Sequence, residues 1–133
     1  MRDYARLQTA ILLRRFAFQV NRTARNTDAD SIHDLRTSIR RLSQCLRVFA
    51  DFYPGNSGKK LRREMQDLMS AAGSVRDLDI AAELAVKSGV ASDAPLIQSL
   101  EAERRQSARR LALKARRWNN KDFSRKWRSR LEL

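Results

Sequence analysis

The sequence contains few of the residues on which several classes of protein depend. Its 133 residues include one cysteine, one histidine, two prolines and four glycines. The single Cys45 excludes an internal disulfide, and the lack of a cysteine and histidine cluster argues against a structural zinc site. The low proline and glycine content excludes collagen-like and low-complexity chains. The most apolar run, residues 10–13, stops at two arginines and falls far short of the ~20 residues that span a membrane.

The N-terminal residues lack the basic, apolar and small-residue order of a secretory signal, so we expect a cytoplasmic protein. A chain of this length fits a single domain over residues 1–133. On folding it buries roughly two thirds of the surface that the unfolded chain exposes. It can therefore fold around one apolar core without disulfides.

Charge of one sign dominates the composition. The chain has 28 Lys and Arg against 15 Asp and Glu, a formal net charge of +13, and only six of the cations are lysines. The planar guanidinium of arginine matches pairs of phosphate oxygens and keeps its charge at every relevant pH. So large a net charge repels itself unless an anion offsets it. The composition therefore predicts a polyanionic partner.

Turn and breaker residues divide the sequence into four long helices and a short fifth one. The strongest loop signal is Pro-Gly-Asn-Ser-Gly at 54–58, and Pro95 opens the fourth helix at its first position. Ser31 and Asp34 approximate a capping box at the start of the second helix, and a kink is expected at 72–74. No stretch alternates long enough to indicate a strand. The predicted helices span residues 3–26, 31–52, 59–87, 95–118 and 122–131.

Apolar residues recur at helical spacing in all four long helices. Four amphipathic helices with short connections bury such stripes most simply as an antiparallel bundle. The predicted fold is therefore all-α, an antiparallel four-helix bundle with a short C-terminal helix. In the fourth helix the expected core positions are Leu96, Leu100, Leu111 and Trp118.

The second helix carries a basic stripe beside its apolar one. At about 100° per residue the stripe occupies a sector of roughly 80° and runs about 20 Å along the axis. It contains no acid, and Arg41 widens its positive side. Because like charges at i,i+4 destabilise a helix, the stripe either meets an anion or is an ordinary solvated face. Its members are His33, Arg36, Arg40, Gln44 and Arg47.

Two further basic rows accompany this stripe. Lys59, Arg62 and Arg63 lie together on the third helix, and Arg14 and Arg25 lie on the first. If these rows face one another across the bundle, they form a basic groove that attracts a chain of phosphates. For the lone histidine, a structural bond to a backbone or carboxylate group is the alternative to a ligand contact.

The residues of these helices have the order of a known family. SIHDLRTSIRRL at 31–42, followed by LRVF at 46–49, resembles the opening signature of CHAD domains, which are histidine-centred α-helical domains. MSAAGSVRDLDI at 69–80 is similar to the second signature of that family, although an Ala-Gly pair replaces its common Leu-Gly pair. The two signatures occur in the family's order, and the resemblance extends loosely over the whole chain.

The resemblance implies that the chain binds inorganic polyphosphate in a basic central cavity, with no catalysis, cofactor or metal of its own. Members of the family often occur beside triphosphate-tunnel enzyme domains or at polyphosphate granules. Arg76 belongs to the second signature, but Asp77 and Asp79 beside it leave a structural ion pair equally open. The signature residues that would form the core of the site are His33, Arg36, Arg40, Arg41 and Arg47.

CHAD domains usually contain two such helical halves, whereas this sequence has one signature and one histidine. The expected unit is therefore half of a CHAD domain. We predict a homodimer whose twofold axis brings two copies of the row at 33–47 to one cavity.

The C-terminal segment, residues 101–133, contains twelve Lys and Arg against four Asp and Glu. It is either an outer landing surface for a polyanion or the charged exterior of an amphipathic helix. The spacing of Trp118, Phe123, Trp127 and Leu131 fits a buried seam somewhat better than an exposed stacking surface.

Nucleic-acid binding and catalysis are the two alternatives to polyphosphate binding. Nucleic acid is the alternative ligand, because it also binds through its phosphates with a steep salt dependence. An enzyme is not expected, because no carboxylates or metal ligands converge on the basic rows and no glycine-rich phosphate loop is present.

Overall fold

The computed structural model describes all 133 residues and contains helices but no strands. The predicted all-α class is confirmed, and each of the five predicted helices is present. A short 3₁₀ turn follows the second helix. The elements are α1 (Arg2–Arg25), α2 (Ala29–Val48), the turn Ala50–Phe52, α3 (Ser57–Lys87), α4 (Pro95–Asn120) and α5 (Phe123–Arg130).

The four long helices form a closed ring of neighbours. Both α1 and α3 pack against α2 and against α4, whereas α5 packs on α1 and α4. Short connections between successive neighbours give the antiparallel four-helix bundle that the apolar stripes predicted. None of the helices combines the length and the apolar composition that crossing a bilayer requires.

The start of α2 differs from its prediction. The helix begins at Ala29, and the cap is Asp28, whose Oδ1 accepts a 2.8 Å hydrogen bond from the backbone N–H of Ser31. The side chain and N–H of Ser31 lower the pKa of Asp28 below its usual value. The prediction of Ser31 as the cap was wrong because Ser31 is buried, and Asp34, its expected capping-box partner, instead forms an ion pair with Arg22 of α1.

Two other boundaries also depart from the sequence expectations. The α-helix of α2 ends at Val48, four residues before the predicted end, and the 3₁₀ turn leads into Pro54. The expected kink at 72–74 is absent, since α3 is one uninterrupted helix. Ala72 and Val75 are fully buried on either side of Gly73, and this packing outweighs the ~1 kcal/mol helix penalty of a glycine.

The bundle interior is apolar. Its buried polar residues are two threonines and two serines, and no charged side chain is buried. In α4 the buried positions are Ile97, Ala108, Leu111 and Ala115. The expectation was right for Leu111 but wrong for Leu96, which is 52% exposed, and for Leu100, which is half-buried and outside the main core. Trp118 and Phe123 pack edge-to-face on Phe16 of α1. The expected seam is present, since Phe123, Trp127 and Leu131 are buried and Trp118 is half-buried at its edge.

One end of the bundle is fastened by a buried tyrosine. Thr9 Oγ1 of α1 donates to the carbonyl of Ala5 at 2.6 Å, so it accepts its second 2.6 Å bond from the Tyr53 hydroxyl. Burial raises the pKa of Tyr53 to about 12, and the nearby Cys45 adds to the shift. This contact joins α1 to the segment between α2 and α3.

At the other end, α3 and α4 project beyond their neighbours. With 31 residues α3 is about 46 Å long, against about 30 Å for the 20 residues of α2. The main core has no member between Val75 and Ala108. Apolar side chains in this projection are therefore exposed: Ile80, Leu84, Val86 and Leu96.

Candidate anion-binding site

Contacts at the two flanks of α2 fix the direction of its basic stripe. Asp34 pairs with Arg22 at 2.5 Å, so the flank that carries Asp34 faces α1. Leu46, on the core side of α2 and 120° from Asp34, approaches Gly58 of α3, where an added Cβ would lie 3.8 Å from the Leu46 Cβ. At 100° per residue Arg36 is turned 160° from Asp34, which directs it to the α3 side.

The stripe of α2 begins on this α3 side and continues outward to solvent, where Arg40 also borders a hollow of about 580 Å³ between α1 and α2. His33, Arg40 and Arg47 are exposed, and Arg36 is half-buried with its Nε enclosed and without a hydrogen-bond partner. None of the four ion pairs of the chain includes a member of this stripe. The positive charge of the stripe is therefore uncompensated within the chain.

The basic row of α3 lies next to the stripe of α2. Asp67 pairs with Lys114 of α4 at 2.7 Å, which assigns that flank of α3 to α4. Arg62 is turned 140° away from Asp67 and thus lies toward α2. It is half-buried, and its Nε is enclosed and unpartnered like that of Arg36. Lys59 is exposed on the same side, whereas Arg63 lies further round on the outer surface.

These residues of two adjacent helices make one surface, which we call the α2–α3 face. It faces outward over an apolar core, so a single chain does not enclose a basic channel. Six cationic or titratable side chains lie on it without an ion-pair partner. They are His33, Arg36, Arg40, Arg47, Lys59 and Arg62.

Four predicted site residues lie off this face, and two of them, Arg14 and Arg41, lie on the α1 side of α2. Arg41 is turned 100° from Arg40, and it lines a hollow of about 330 Å³ between α1 and α2 together with Arg14, Arg15 and Asp34. The expectation that the α1 row faces the rows of α2 and α3 was therefore wrong. Because α1 borders α2 on the flank opposite α3, Arg14 belongs to a separate basic area, and Arg25 lies beside α4 at the end of α1.

The second signature lies at the base of the projecting hairpin and has a structural part. Asp79 accepts a 2.5 Å bond from Nε of Arg104 in α4, and Arg104 also donates at 2.9 Å to the carbonyl of Thr27. This network joins α3, α4 and the turn between α1 and α2. Arg76 has only a 3.9 Å approach to Glu83, so most of its charge stays available.

Sequence reasoning did not single out Arg104. Its partner is 25 residues away in the sequence, and no local pattern signals a pair between two different helices. The chain has no group of three or more His, Cys, Asp or Glu side chains that could hold a metal ion. The chemistry that the α2–α3 face offers is hydrogen-bond donation and positive charge.

Comparison with known proteins agrees with the resemblance of the two signatures. The sequence profile described as CHAD domain matches residues 9–132, which is nearly the whole chain. No curated protein and no solved structure gives a significant match.

Proposed function

The chain belongs to the CHAD domain family, and from this membership we propose that it binds inorganic polyphosphate on the α2–α3 face without catalysing a reaction. The observation that carries the proposal is the uncompensated charge of that face. Six donors from two adjacent helices have no carboxylate partner within the chain. A bound polyanion would supply the negative charge that the chain itself does not place beside these donors.

The geometry suits an extended ligand. From His33 to Arg47 the stripe runs about 20 Å, so successive side chains meet successive phosphates. Arginine binds a phosphate through two parallel N–H groups, and His33 adds a further donor at one end. Arg36 and Arg62 have their stems packed between the helices, so less conformational entropy is lost when their head groups bind.

A second copy would complete the site. The α2–α3 face is open to solvent, and a homodimer with two such faces opposed would enclose the polyphosphate between them. Ile80 and Leu84 support this arrangement, because they continue the α2-facing flank of α3 beyond the end of α2 and are exposed. Light scattering with and without polyphosphate should give twice the chain mass in at least one condition. A monomer in both conditions would contradict the dimer.

The proposed site is tested by one substitution and its control. Arg40→Ala removes an exposed cation of the face and should weaken polyphosphate binding about tenfold, the effect of one charge-assisted contact. Lys87→Ala removes an exposed cation at the end of α3, outside the face, and should change binding less than twofold. Equal losses in the two variants would show that only net charge matters.

Competition separates polyphosphate from nucleic acid. Unlabelled duplex and single-stranded DNA are added to the protein–polyphosphate complex at equal phosphate concentration. We expect little displacement, because Phe123 and Trp127 are buried in the seam and only the half-buried Trp118 offers bases part of a stacking surface. Full displacement would favour a nucleic-acid binder, and shortening of polyphosphate in the presence of Mg²⁺ would overturn the absence of catalysis.

A further inference from the structure

The side of the bundle opposite the α2–α3 face has a basic recess of its own. Between α1 and α4 lies a hollow of about 310 Å³, which we call the α1–α4 hollow. No acidic residue lines it, although the chain has 15 Asp and Glu. Its arginines are Arg25, Arg104, Arg105, Arg109 and Arg116.

Four of these five arginines are free of partners. Arg104 is held by Asp79 at the margin of the hollow, and its charge is thereby compensated. Arg25, Arg105, Arg109 and Arg116 are exposed and take part in none of the ion pairs or side-chain hydrogen bonds of the chain. The hollow therefore has the same uncompensated charge as the α2–α3 face.

The arrangement of these arginines differs from a scattered surface distribution. Arg105, Arg109 and Arg116 of α4 lie within a sector of about 40° and span about 16 Å along the helix axis. Arg25 approaches them from the end of α1. Ala108 and Ala112 lie between the row and α1, and their small side chains leave the recess open to an extended anion.

The row also has a cost that an anion would offset. Arg105 and Arg109 are like charges at i,i+4, which destabilises an isolated helix by a few tenths of a kcal/mol. In contrast, Lys114 on the other flank of α4 is paired with Asp67. The hollows on that other flank are lined by Asp67 and Glu64 as well as by cations, whereas no acidic residue lines the hollow that borders α1.

We propose that the α1–α4 hollow is a second polyphosphate site, separate from the α2–α3 face and on the opposite side of the bundle. The ligand is inorganic polyphosphate of several units, since the arginine row is longer than a single phosphate. This inference rests on the proposed function for the identity of the ligand. With two sites on opposite sides, one protein contacts two polyphosphate segments, and a long polymer bridges many proteins.

Calorimetric titration with a short polyphosphate of uniform length counts the sites. The hollow variant is Arg105→Ala, Arg109→Ala and Arg116→Ala combined, and the face variant is Arg36→Ala, Arg40→Ala and Arg47→Ala combined. The hollow variant should bind one polyphosphate fewer per chain than the wild type and keep the affinity of the remaining site within twofold. Arg110→Ala is the matched control, because it is an exposed arginine next in sequence but turned 100° from Arg109.

The bridging of proteins by long polyphosphate gives a second readout, which does not depend on counting binding sites. Long polyphosphate should make wild-type solutions turbid, whereas the hollow variant should stay clear at the same phosphate concentration. The lysine version, Arg105→Lys, Arg109→Lys and Arg116→Lys combined, should restore much of the turbidity, because it keeps the charge. Far-ultraviolet circular dichroism verifies that every variant is folded.

The outcomes separate this inference from the proposed function. If the hollow variant binds as many polyphosphates as the wild type, the second site does not exist and the α2–α3 face stands alone. If the face variant keeps full binding and the hollow variant loses it, the proposed face is wrong and the hollow is the site. If the wild type binds no polyphosphate, both proposals fail.

Discussion

The α2–α3 face and the α1–α4 hollow both present unpaired arginines at a seam between neighbouring antiparallel helices, but the chain assembles them differently. The face is built mainly from one stripe of α2, whose members are three to four residues apart. The hollow joins the end of α1 to the middle of α4, about 80 residues away in the sequence. One site can be read from local periodicity, whereas the other requires knowledge of which helices are neighbours.

The surroundings of the two sites differ as well. The hollow is recessed and has a compensated arginine at its margin, whereas the face is open along its length. Two of the arginines on the face have their Nε atoms enclosed, which fixes their stems. We therefore expect the face to gain from preorganised donors, and the hollow from charge gathered around a concave surface.

The largest effect is expected when both sites are removed together. Combining the face variant with the hollow variant deletes six arginines and lowers the net charge from +13 to +7. If each lost contact is worth about 1.4 kcal/mol, which is tenfold in affinity, each of the two sites loses three contacts and binds polyphosphate about a thousandfold more weakly. The slope of log affinity against log salt should drop by about one for each contact. A combined variant no weaker than the face variant would show that the two surfaces do not both bind.

The second-largest effect is expected when the Asp79–Arg104 ion pair at the margin of the α1–α4 hollow is broken. Asp79→Asn breaks the pair with Arg104, in which the two side chains are only 17% and 28% exposed. It should lower the free energy of unfolding by about 2 kcal/mol in urea titration. Arg104 is then unpaired, so binding at the hollow should strengthen while binding at the face stays the same.

Glu83→Gln is the control for that change. Its 3.9 Å approach to Arg76 is more exposed, and its loss should cost at most about 0.5 kcal/mol. If the two substitutions destabilise the chain equally, Asp79 does not hold the hairpin as the structure indicates.

A tenfold effect distinguishes two neighbouring arginines of the first signature. Arg40 lies on the outer part of the α2–α3 face and borders one hollow next to α1, whereas Arg41 is turned 100° further toward α1 and lines two hollows there. Arg40→Ala should weaken polyphosphate binding about tenfold and Arg41→Ala less than twofold. Both variants lose one exposed arginine of the same helix, so a difference between them reports position alone. Isothermal titration at one salt concentration measures it, and the reverse order would move the site to the α1 side of α2.

The contrast between Arg40 and Arg41 shows how far the sequence could lead. Periodicity predicted the helices, the bundle and the stripe of α2, because helix burial depends on local spacing. It also placed Arg41 beside Arg40 in the signature, but adjacency in sequence means a separation of 100° on a helix. Which neighbour each side of α2 faces is decided by contacts such as Asp34 with Arg22.

The cap of α2 illustrates the same limit. Asp28 with Ser31 and Ser31 with Asp34 have identical spacing, so the sequence allows either pair to start the helix. The structure selects the first pair, because Asp34 is engaged by α1 and Ser31 is buried. The α1–α4 hollow was missed for the related reason that no residue near Arg25 in the sequence indicates that α4 lies beside it.

The smallest expected effect tests whether the two sites depend on the end of the bundle that Tyr53 fastens. Tyr53→Phe removes the hydroxyl that donates to Thr9, and it should lower the free energy of unfolding by about 1 kcal/mol at neutral pH. Burial raises the pKa of Tyr53 from 10 to about 12 in the folded protein. The protonated tyrosine is thus favoured by folding. Its contribution to stability is fully present below pH 10 and is lost as the pH rises toward 12.

Urea titrations from pH 8 to about pH 11.5 measure this loss of stability, because the interval covers the rise in the pKa of Tyr53 on folding. The wild type should lose stability above pH 10, whereas Tyr53→Phe should lose less over the same interval. Tyr4→Phe is the matched control, because Tyr4 is exposed and its hydroxyl has no hydrogen-bond partner in the chain. Polyphosphate binding at the α1–α4 hollow should be unchanged in Tyr53→Phe at neutral pH, because the hollow lies at the other end of α1. The α2–α3 face reaches the Tyr53 end through Arg47 and Lys59, so any weakening should be confined to the face. A weakening at the hollow would mean that α1 transmits the loosening along its length, and the two sites would then not differ in their dependence on this end.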